Sequence, residues 1–282
     1  MAATLIDGKA LAARVREEVA RDLRELGPLG LATILVGDDP ASEVYVRLKH
    51  EDATEVGMRP FDKRLPADTS LDEVLALVEE ANADDEIDGL LVQTPLPAHL
   101  DEFRILAAVR PEKDVDGLTP HNAGLLYLGR NGHVPATPLG VMRMLAEYRI
   151  PTAGARAVVL GRSPIVGKPM ALLLLQANAT VTVCHSRTED LMRHTLDADI
   201  LVAAVGVPHL VTRELVKAHA TVVDVGITRT EAGLVGDVDP AVAEIAGHLT
   251  PVPGGVGPMT RAMLLQSTVR AARYRRGLLP LA

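Results

Sequence analysis

Tyr45 and Lys49 stand four residues apart in a stretch whose pattern predicts a helix over 40–56, so both side chains share one helix face, one turn apart. A lysine moves protons near neutral pH only where its surroundings pull it below its ordinary value of about 10.4. Taken alone, the pair describes an ordinary solvated helix face equally well. Two further residues bear on the choice. Gln93 ends the apolar run Leu90-Leu91-Val92, and Pro95 and Pro97 stop the strand there. Asp116 lies in the Gly-ended loop Asp114-Val115-Asp116-Gly117. Ligands gather at the carboxyl ends of parallel strands, and Gln93 occupies such an end.

A second group has the types suited to holding phosphates. Gly161-Arg162-Ser163-Pro164-Ile165-Val166-Gly167 joins a predicted strand to a predicted helix, where backbone N–H groups and the helix dipole attract an anion. The spacing departs from G-x-G-x-x-G, because Ser163 replaces the second glycine, and by spacing alone it describes a tight packing turn as well as a nucleotide turn. The next strand ends in Cys184-His185-Ser186-Arg187-Thr188, where an NAD site carries an acid for the ribose hydroxyls. No acid is there. Ser186, Arg187 and Arg162 offer donors and positive charge suited to a 2′-phosphate, which favours NADP. Later strand ends, at Ala203-Ala204-Val205-Gly206 and Asp224-Val225-Gly226-Ile227, put small residues where such a cofactor crosses the sheet edge.

The run Pro251-Val252-Pro253-Gly254-Gly255-Val256-Gly257-Pro258-Met259-Thr260 reads as a shaped loop, a poor core and a poor helix, whose glycines let a ligand approach the backbone. The elements that must position these residues alternate. A helix over 8–26 precedes a strand at 31–36. Asp39 and Pro40 begin the helix that carries Lys49, Ser70 with Glu73 forms a capping box for a helix to about 81, and a strand follows at 87–92. The stretch 114–136 is loop-rich and marks a boundary; Thr137-Pro138 offers a cap for the next helix, followed by strands at 157–160, 180–184, 199–204, 221–225 and near 247–250. Strands alternating with helices imply parallel sheets covered on both faces, an α/β protein of two domains.

Composition excludes several classes. A formal charge of −8 gives no general attraction for nucleic acid. No long uncharged apolar run and no basic-then-apolar N-terminus is present, so the expectation is a cytoplasmic protein without a membrane segment. The single cysteine, Cys184, sits in a strand pattern and reads as a packed side chain. The sequence shows no H-E-x-x-H pattern or Cys/His cluster that would hold a metal.

Four segments taken together resemble the bifunctional methylenetetrahydrofolate dehydrogenase/cyclohydrolase family: Ala41-Ser42-Glu43-Val44-Tyr45-Val46-Arg47-Leu48-Lys49, Val92-Gln93-Thr94-Pro95-Leu96-Pro97, Lys113-Asp114-Val115-Asp116-Gly117 and the 251–260 run. The G-R-S-x-I-V-G-x-P turn at 161–169 is similar to the same family's nucleotide turn. The resemblance implies an N-terminal folate-binding domain over 1–137, a Rossmann-like NADP-binding domain over 138–257, a last helix within 258–282 that returns to the first domain, and an active site in the cleft between the two. It implies that Lys49 is the central acid/base group, Gln93 its orienting partner, Tyr45 the ring beside the folate and Asp116 the carboxylate at the pterin's amino edge. Pro253, Gly254 and Gly255 then line the substrate, while Gly161, Arg162, Ser163, Ser186, Arg187 and Ile227 hold NADP. The implied substrates are tetrahydrofolate one-carbon derivatives, the implied process one-carbon metabolism serving purine biosynthesis, and the implied assembly a homodimer. Alternatives are a dehydrogenase without cyclohydrolase activity, a non-catalytic NADP-binding protein, and a hydroxy-acid dehydrogenase, which lacks an obvious His–Asp pair here. Thr94 and Ala136 depart from the family's usual apolar residue and cysteine, and neither carries an implied role.

Overall fold

The structure is a computed structural model that describes residues 2–231 and 233–280. The chain runs β1 (Thr4–Leu5), α1 (Gly8–Leu26), β2 (Gly30–Val36), α2 (Pro40–Val56), β3 (Arg59–Leu65), α3 (Leu71–Ala83), β4 (Gly89–Val92), α4 (Glu102–Ala107) and α5 (Pro120–Tyr127). It continues through α6 (Ala136–Glu147), β5 (Arg156–Leu160), α7 (Gly167–Gln176), β6 (Thr180–Cys184), α8 (Leu191–Thr195), β7 (Ile200–Ala203), β8 (Thr221–Asp224), β9 (Thr228–Thr230), β10 (Gly233–Val235), β11 (His248–Leu249) and α9 (Val256–Arg275). Two compact units result, Ala13–Ala136 with Arg261–Ala282, and Met1–Ala12 with Thr137–Thr260.

In the first of these units β2 is buried along its whole length and pairs in parallel with β3 and β4, giving the order β3-β2-β4. Ile34, Val36, Val74, Val78, Leu90 and Ile105 share its core. β3, Arg59-Pro60-Phe61-Asp62-Lys63-Arg64-Leu65, lacks an apolar run because it is an edge strand, where charges and proline are tolerated. The helix starts follow their chemistry. Asp39 accepts the N–H of Ser42 at 2.8 Å with Pro40 in the first turn of α2, and Ser70 with Glu73 closes a reciprocal capping box on α3. The loop-rich stretch 114–136 contains α5, begun by Thr119 as cap and Pro120 in the first turn.

The other unit holds a parallel sheet of order β1-β11-β8-β7-β5-β6 among the described residues. Val158, Leu160, Leu201, Val222, Val242 and Leu249 form its core together with Cys184, which is buried. β1 pairs with β11 at Thr4↔His248 and Leu5↔Leu249, which is why the first twelve residues group with the second half of the chain. β9 and β10 form a short antiparallel pair.

Two helix starts differ from the sequence expectation. α6 begins at Ala136, so Thr137 is inside the helix and its Oγ1 meets Thr260 Oγ1 at 2.9 Å instead of capping. α9 begins at Val256, so the second half of the Pro/Gly run is helix; Pro258 stands in the first turn, where a missing N–H costs nothing. Among the described residues no helix is long and apolar enough to cross a membrane, and no group of three or more His, Cys, Asp or Glu is arranged to hold a metal ion.

Candidate active site

α2 delivers Lys49 to the end of β4. Lys49 Nζ donates to Gln93 Oε1 at 3.0 Å, and Gln93 Nε2 donates to Thr94 O at 2.8 Å. That carbonyl can only accept, so the amide has one orientation, its N–H toward Thr94 and its oxygen toward the lysine. The backbone of Gln93 stays on the ladder, its N–H donating to Ile34 O at 2.8 Å, which ties the side chain to a strand end that cannot drift. Burial pushes the Lys49 ammonium below its usual value, and the negative charge of Asp116 opposes that shift without reversing it. Tyr45, one turn earlier on α2, is 41% exposed and leaves its ring available at the surface of this unit.

Asp116 is carried by a braced loop. Leu90 N donates to Lys113 O at 2.7 Å, which fastens 113–117 alongside β4 and hence beside Gln93. Lys113 is buried and spends its ammonium on the carbonyls of Ala81 and Asp84 at the end of α3, at 3.1 and 2.7 Å. Asp114 accepts the N–H groups of Leu118 and Thr119 at 3.1 and 2.8 Å and the side-chain amide of Asn122 at 2.8 Å. Asp116 is thus presented by a loop whose other polar groups are already committed. Its carboxyl is pushed up, chiefly by burial, with Lys49 pulling it down and Asp114 adding to the rise. Both partners are therefore biased toward neutrality, the state from which a lysine accepts a proton and a carboxyl donates a hydrogen bond.

The other unit carries a cavity of about 560 Å³ at the carboxyl ends of β5, β6 and β7, walled by Gly161, Arg162, Ser163, Ser186, Thr188 and Val205 among others. Gly161 has φ +112, and a side chain there would strike Ala204 O at 2.2 Å, so only glycine lets the turn pass the neighbouring strand end. Ser163 is explained by its own bonds: its Oγ accepts the N–H of Val166 at 3.1 Å and of Gly167 at 3.4 Å, capping the turn into α7 in place of a second glycine. The turn, the helix start and the cavity fit the pyrophosphate of a dinucleotide.

The sequence candidates thus fall into groups. Lys49, Gln93 and Asp116 come together, with Tyr45 on the same helix. Gly161, Arg162, Ser163 and Ser186 come together around the cavity. Arg187 is exposed and lies outside the lining, and Ile227 is 40% exposed beyond the end of β8. Pro253, Gly254 and Gly255 precede α9 in the nucleotide-type unit, where Gly254 O accepts the N–H of Lys9 at 2.9 Å. Residue-by-residue reading missed Asp114 and Lys113, whose neighbours in sequence drew attention only to Asp116. The signal was an acid three residues before a loop glycine, with Thr119-Pro120 shortly beyond it, which predicts a carboxylate feeding the turn. It also missed His50, whose Nε2 lies 3.2 Å from Thr33 Oγ1 beside Lys49 in sequence.

Comparison with known proteins assigns a domain family to each half of the chain. Residues 6–116 match the family model described as tetrahydrofolate dehydrogenase/cyclohydrolase, catalytic domain, and residues 135–276 match its NAD(P)-binding domain. The chain is 55% identical over 278 residues to the bifunctional protein FolD of Burkholderia thailandensis, covering 96% of this chain and 98% of that protein. The bifunctional FolD dehydrogenase/cyclohydrolase structure from Campylobacter jejuni superposes with a TM-score of 0.95 at 47% identity, covering 97% of this chain and 100% of that one. The Trypanosoma brucei methylenetetrahydrofolate dehydrogenase-cyclohydrolase, solved with NADP and an inhibitor, superposes with a TM-score of 0.93 at 39% identity, over 99% of this chain and 100% of that one. With both family models matched in order and relatives aligned over nearly the full length, the chain belongs to the tetrahydrofolate dehydrogenase/cyclohydrolase family.

Proposed function

We propose that the protein oxidises 5,10-methylenetetrahydrofolate to the 5,10-methenyl compound with NADP⁺ and hydrolyses that product to 10-formyltetrahydrofolate. The observation that carries the reading is the lysine of lowered pKa held at 3.0 Å by a strand-end glutamine. NADP supplies the hydride acceptor when bound. The glycine turn at 161 and the Ser163 cap fit its pyrophosphate, and Arg162 with Ser186 at the cavity wall suit a 2′-phosphate.

The chain's own residues do the rest. Water adding to a cationic methenyl carbon must lose a proton, and ring opening must return one; Lys49, its ammonium pushed below its usual value by burial, is the group that takes and gives it. Gln93 orients the amine and adds no negative charge, so it does not restore the proton that burial removes. Asp116 holds the pterin's amino edge, and Tyr45 supplies the ring beside the folate. Pro253, Gly254 and Gly255 form the backbone wall for the substrate in this reading, with Arg187 and Ile227 at the cofactor's margins. The folate-binding role belongs to the domain bearing Lys49 and the NADP role to the domain bearing Gly161. Homodimeric assembly, a cytoplasmic setting and a place in purine biosynthesis complete the proposal.

Incubation with methylenetetrahydrofolate and either NADP⁺ or NAD⁺, with NADPH and methenyl absorbance followed separately, tests it. The expected result is NADPH formation without lasting methenyl accumulation. Persistent methenyl product identifies a dehydrogenase alone, and no turnover leaves a binding protein. In Lys49→Met, cyclohydrolase activity falls by roughly 10²–10⁴-fold while dehydrogenase turnover persists.

A further inference from the structure

Asp237 is 0% exposed and lies in a strip after β10 that the reaction as described does not use. Its Oδ2 accepts two consecutive backbone N–H groups, from Val205 at 2.7 Å and Gly206 at 3.1 Å, while its Oδ1 has no hydrogen-bond partner. A buried carboxylate with an idle oxygen is costly, so the two bonds made by its other oxygen must offset that cost. Both donors belong to the loop that leaves β7. That loop is further laid on the 236–239 strip, with His209 N donating to Gly236 O, Val211 N to Asp237 O and Asp239 N to Val211 O, at 3.1, 2.9 and 2.9 Å.

A second buried acid fixes the first. Asp224, at the end of β8, accepts the N–H groups of Gly226, Asp237 and Val238 at 3.0, 2.9 and 3.0 Å. The fit leaves no slack: a side chain at Gly236 would meet Asp224 Oδ2 at 1.8 Å, and one at Gly226 would meet Asp237 Oδ1 at 2.1 Å. The chain from β8 through Asp224 to Asp237 therefore ends at Val205, and Val205 with Ala204, Val207 and Leu210 walls the cavity at the ends of β5–β7.

We infer that Asp237 is a positioning residue for the nicotinamide cofactor, setting the Val205–Gly206 wall of the cavity through its two backbone bonds. The inference rests on the reading of that cavity as the NADP site. Charge-assisted bonds to consecutive amides fix both position and tilt of the loop, which hydrophobic packing alone would not.

Asp237→Ala and Asp237→Asn test it, the asparagine keeping volume and one acceptor. Three quantities are measured: direct NADP⁺ binding, KM for NADP⁺ and for methylenetetrahydrofolate in the dehydrogenase reaction, and cyclohydrolase turnover started from the methenyl compound without any nucleotide. Expected is a roughly ten- to hundredfold weakening of NADP⁺ binding in the alanine variant and a smaller one in the asparagine variant, with folate KM and nucleotide-free cyclohydrolase turnover within about twofold of the parent. The nucleotide-free reaction reports that the fold survives, and Asp237→Asn carries the comparison where the alanine variant does not fold. Unchanged NADP⁺ affinity in either folded variant overturns the inference, and so does an equal loss in all three measurements. A parent protein that binds no NADP⁺ overturns the cofactor reading itself and the inference with it.

Discussion

Gln93→Glu changes one atom type at 3.0 Å from Lys49 Nζ and should separate the two activities. A full negative charge at 3.0 Å favours the ammonium by about 5.5 kcal/mol at an effective dielectric of about 20, equivalent to a rise of about 4 pKa units. Lys49 and Gln93 keep partial solvent contact, so screening leaves roughly 2–4 units. The sign is opposite to that of burial, which now lowers the lysine. A lysine that must be neutral to accept a proton then loses roughly 10²–10⁴ of its active fraction near pH 7. Hydride transfer needs no protein base, so dehydrogenase turnover should drop far less. The second carboxylate oxygen would face Thr94 O, where Nε2 now donates, and this geometric cost calls for a control. Gln93→Met removes the acceptor without adding charge and should lower activity without moving the pH profile. The assay is kcat/KM for methenyltetrahydrofolate hydrolysis from pH 6 to 10, beside NADPH formation at each pH. A folded Gln93→Glu enzyme whose cyclohydrolase profile coincides with the parent's would refute the requirement for a neutral Lys49.

Asp116→Ala should weaken both reactions by roughly ten- to hundredfold in kcat/KM, because the same bound ring serves both; normal folate binding in the variant removes the assignment. Arg162→Ala should raise KM for NADP⁺ more than for NAD⁺, and by more than Arg187→Ala, since Arg162 lines the cavity and Arg187 does not; equal loss with the two nucleotides would show that neither arginine reads the 2′-phosphate. Asp224 is pushed up to about 6 by burial, against the downward pull of three backbone N–H groups. An acid with a raised folded-state value binds more protons folded than unfolded, so its contribution to stability is fully present below 3.8 and is lost as pH rises through about 6. The loss is bounded at roughly 3 kcal/mol. Carbon NMR of the carboxyl resonance checks the midpoint, and titration at or below 3.8 would remove the effect.

Local chemistry made part of this legible in the sequence. Asp39-Pro40 and Ser70 with Glu73 start helices because the capping atoms lie within three residues of their donors, and α2 and α3 begin there. The buried run of β2 and the strand that ends at Gln93 are legible for the same reason, since a parallel strand covered on both faces must be apolar throughout. The Thr-Pro pair shows where this stops. At 119–120 it caps α5, whereas at 137–138 the helix starts a residue earlier and Thr137 turns to Thr260, 123 positions away. The same dipeptide takes opposite roles because a tertiary hydroxyl partner competes with the local amide.

Distance along the chain is what hid the rest. β1 is two residues long and carries no pattern of its own; its pairing with β11 depends on a strand that begins 243 residues after β1 ends, from Leu5 to His248. Asp224 and Asp237 read separately as a strand-end acid and a loop acid, the commonest surface roles for that residue. No local pattern names the partners of the Asp237 oxygen, the amides at 205 and 206, 32 and 31 positions away. The nearest sequence trace is the pair of glycines, Gly226 and Gly236, each next to or two residues from one acid and each sterically closed by the other acid or its partner. The two glycines leave room for the carboxylates, since a Cβ at either position would strike one of them. Here Gly226 and Gly236 let both carboxylates turn inward, and their bonds lead from the sheet to the wall of the cavity at the ends of β5–β7.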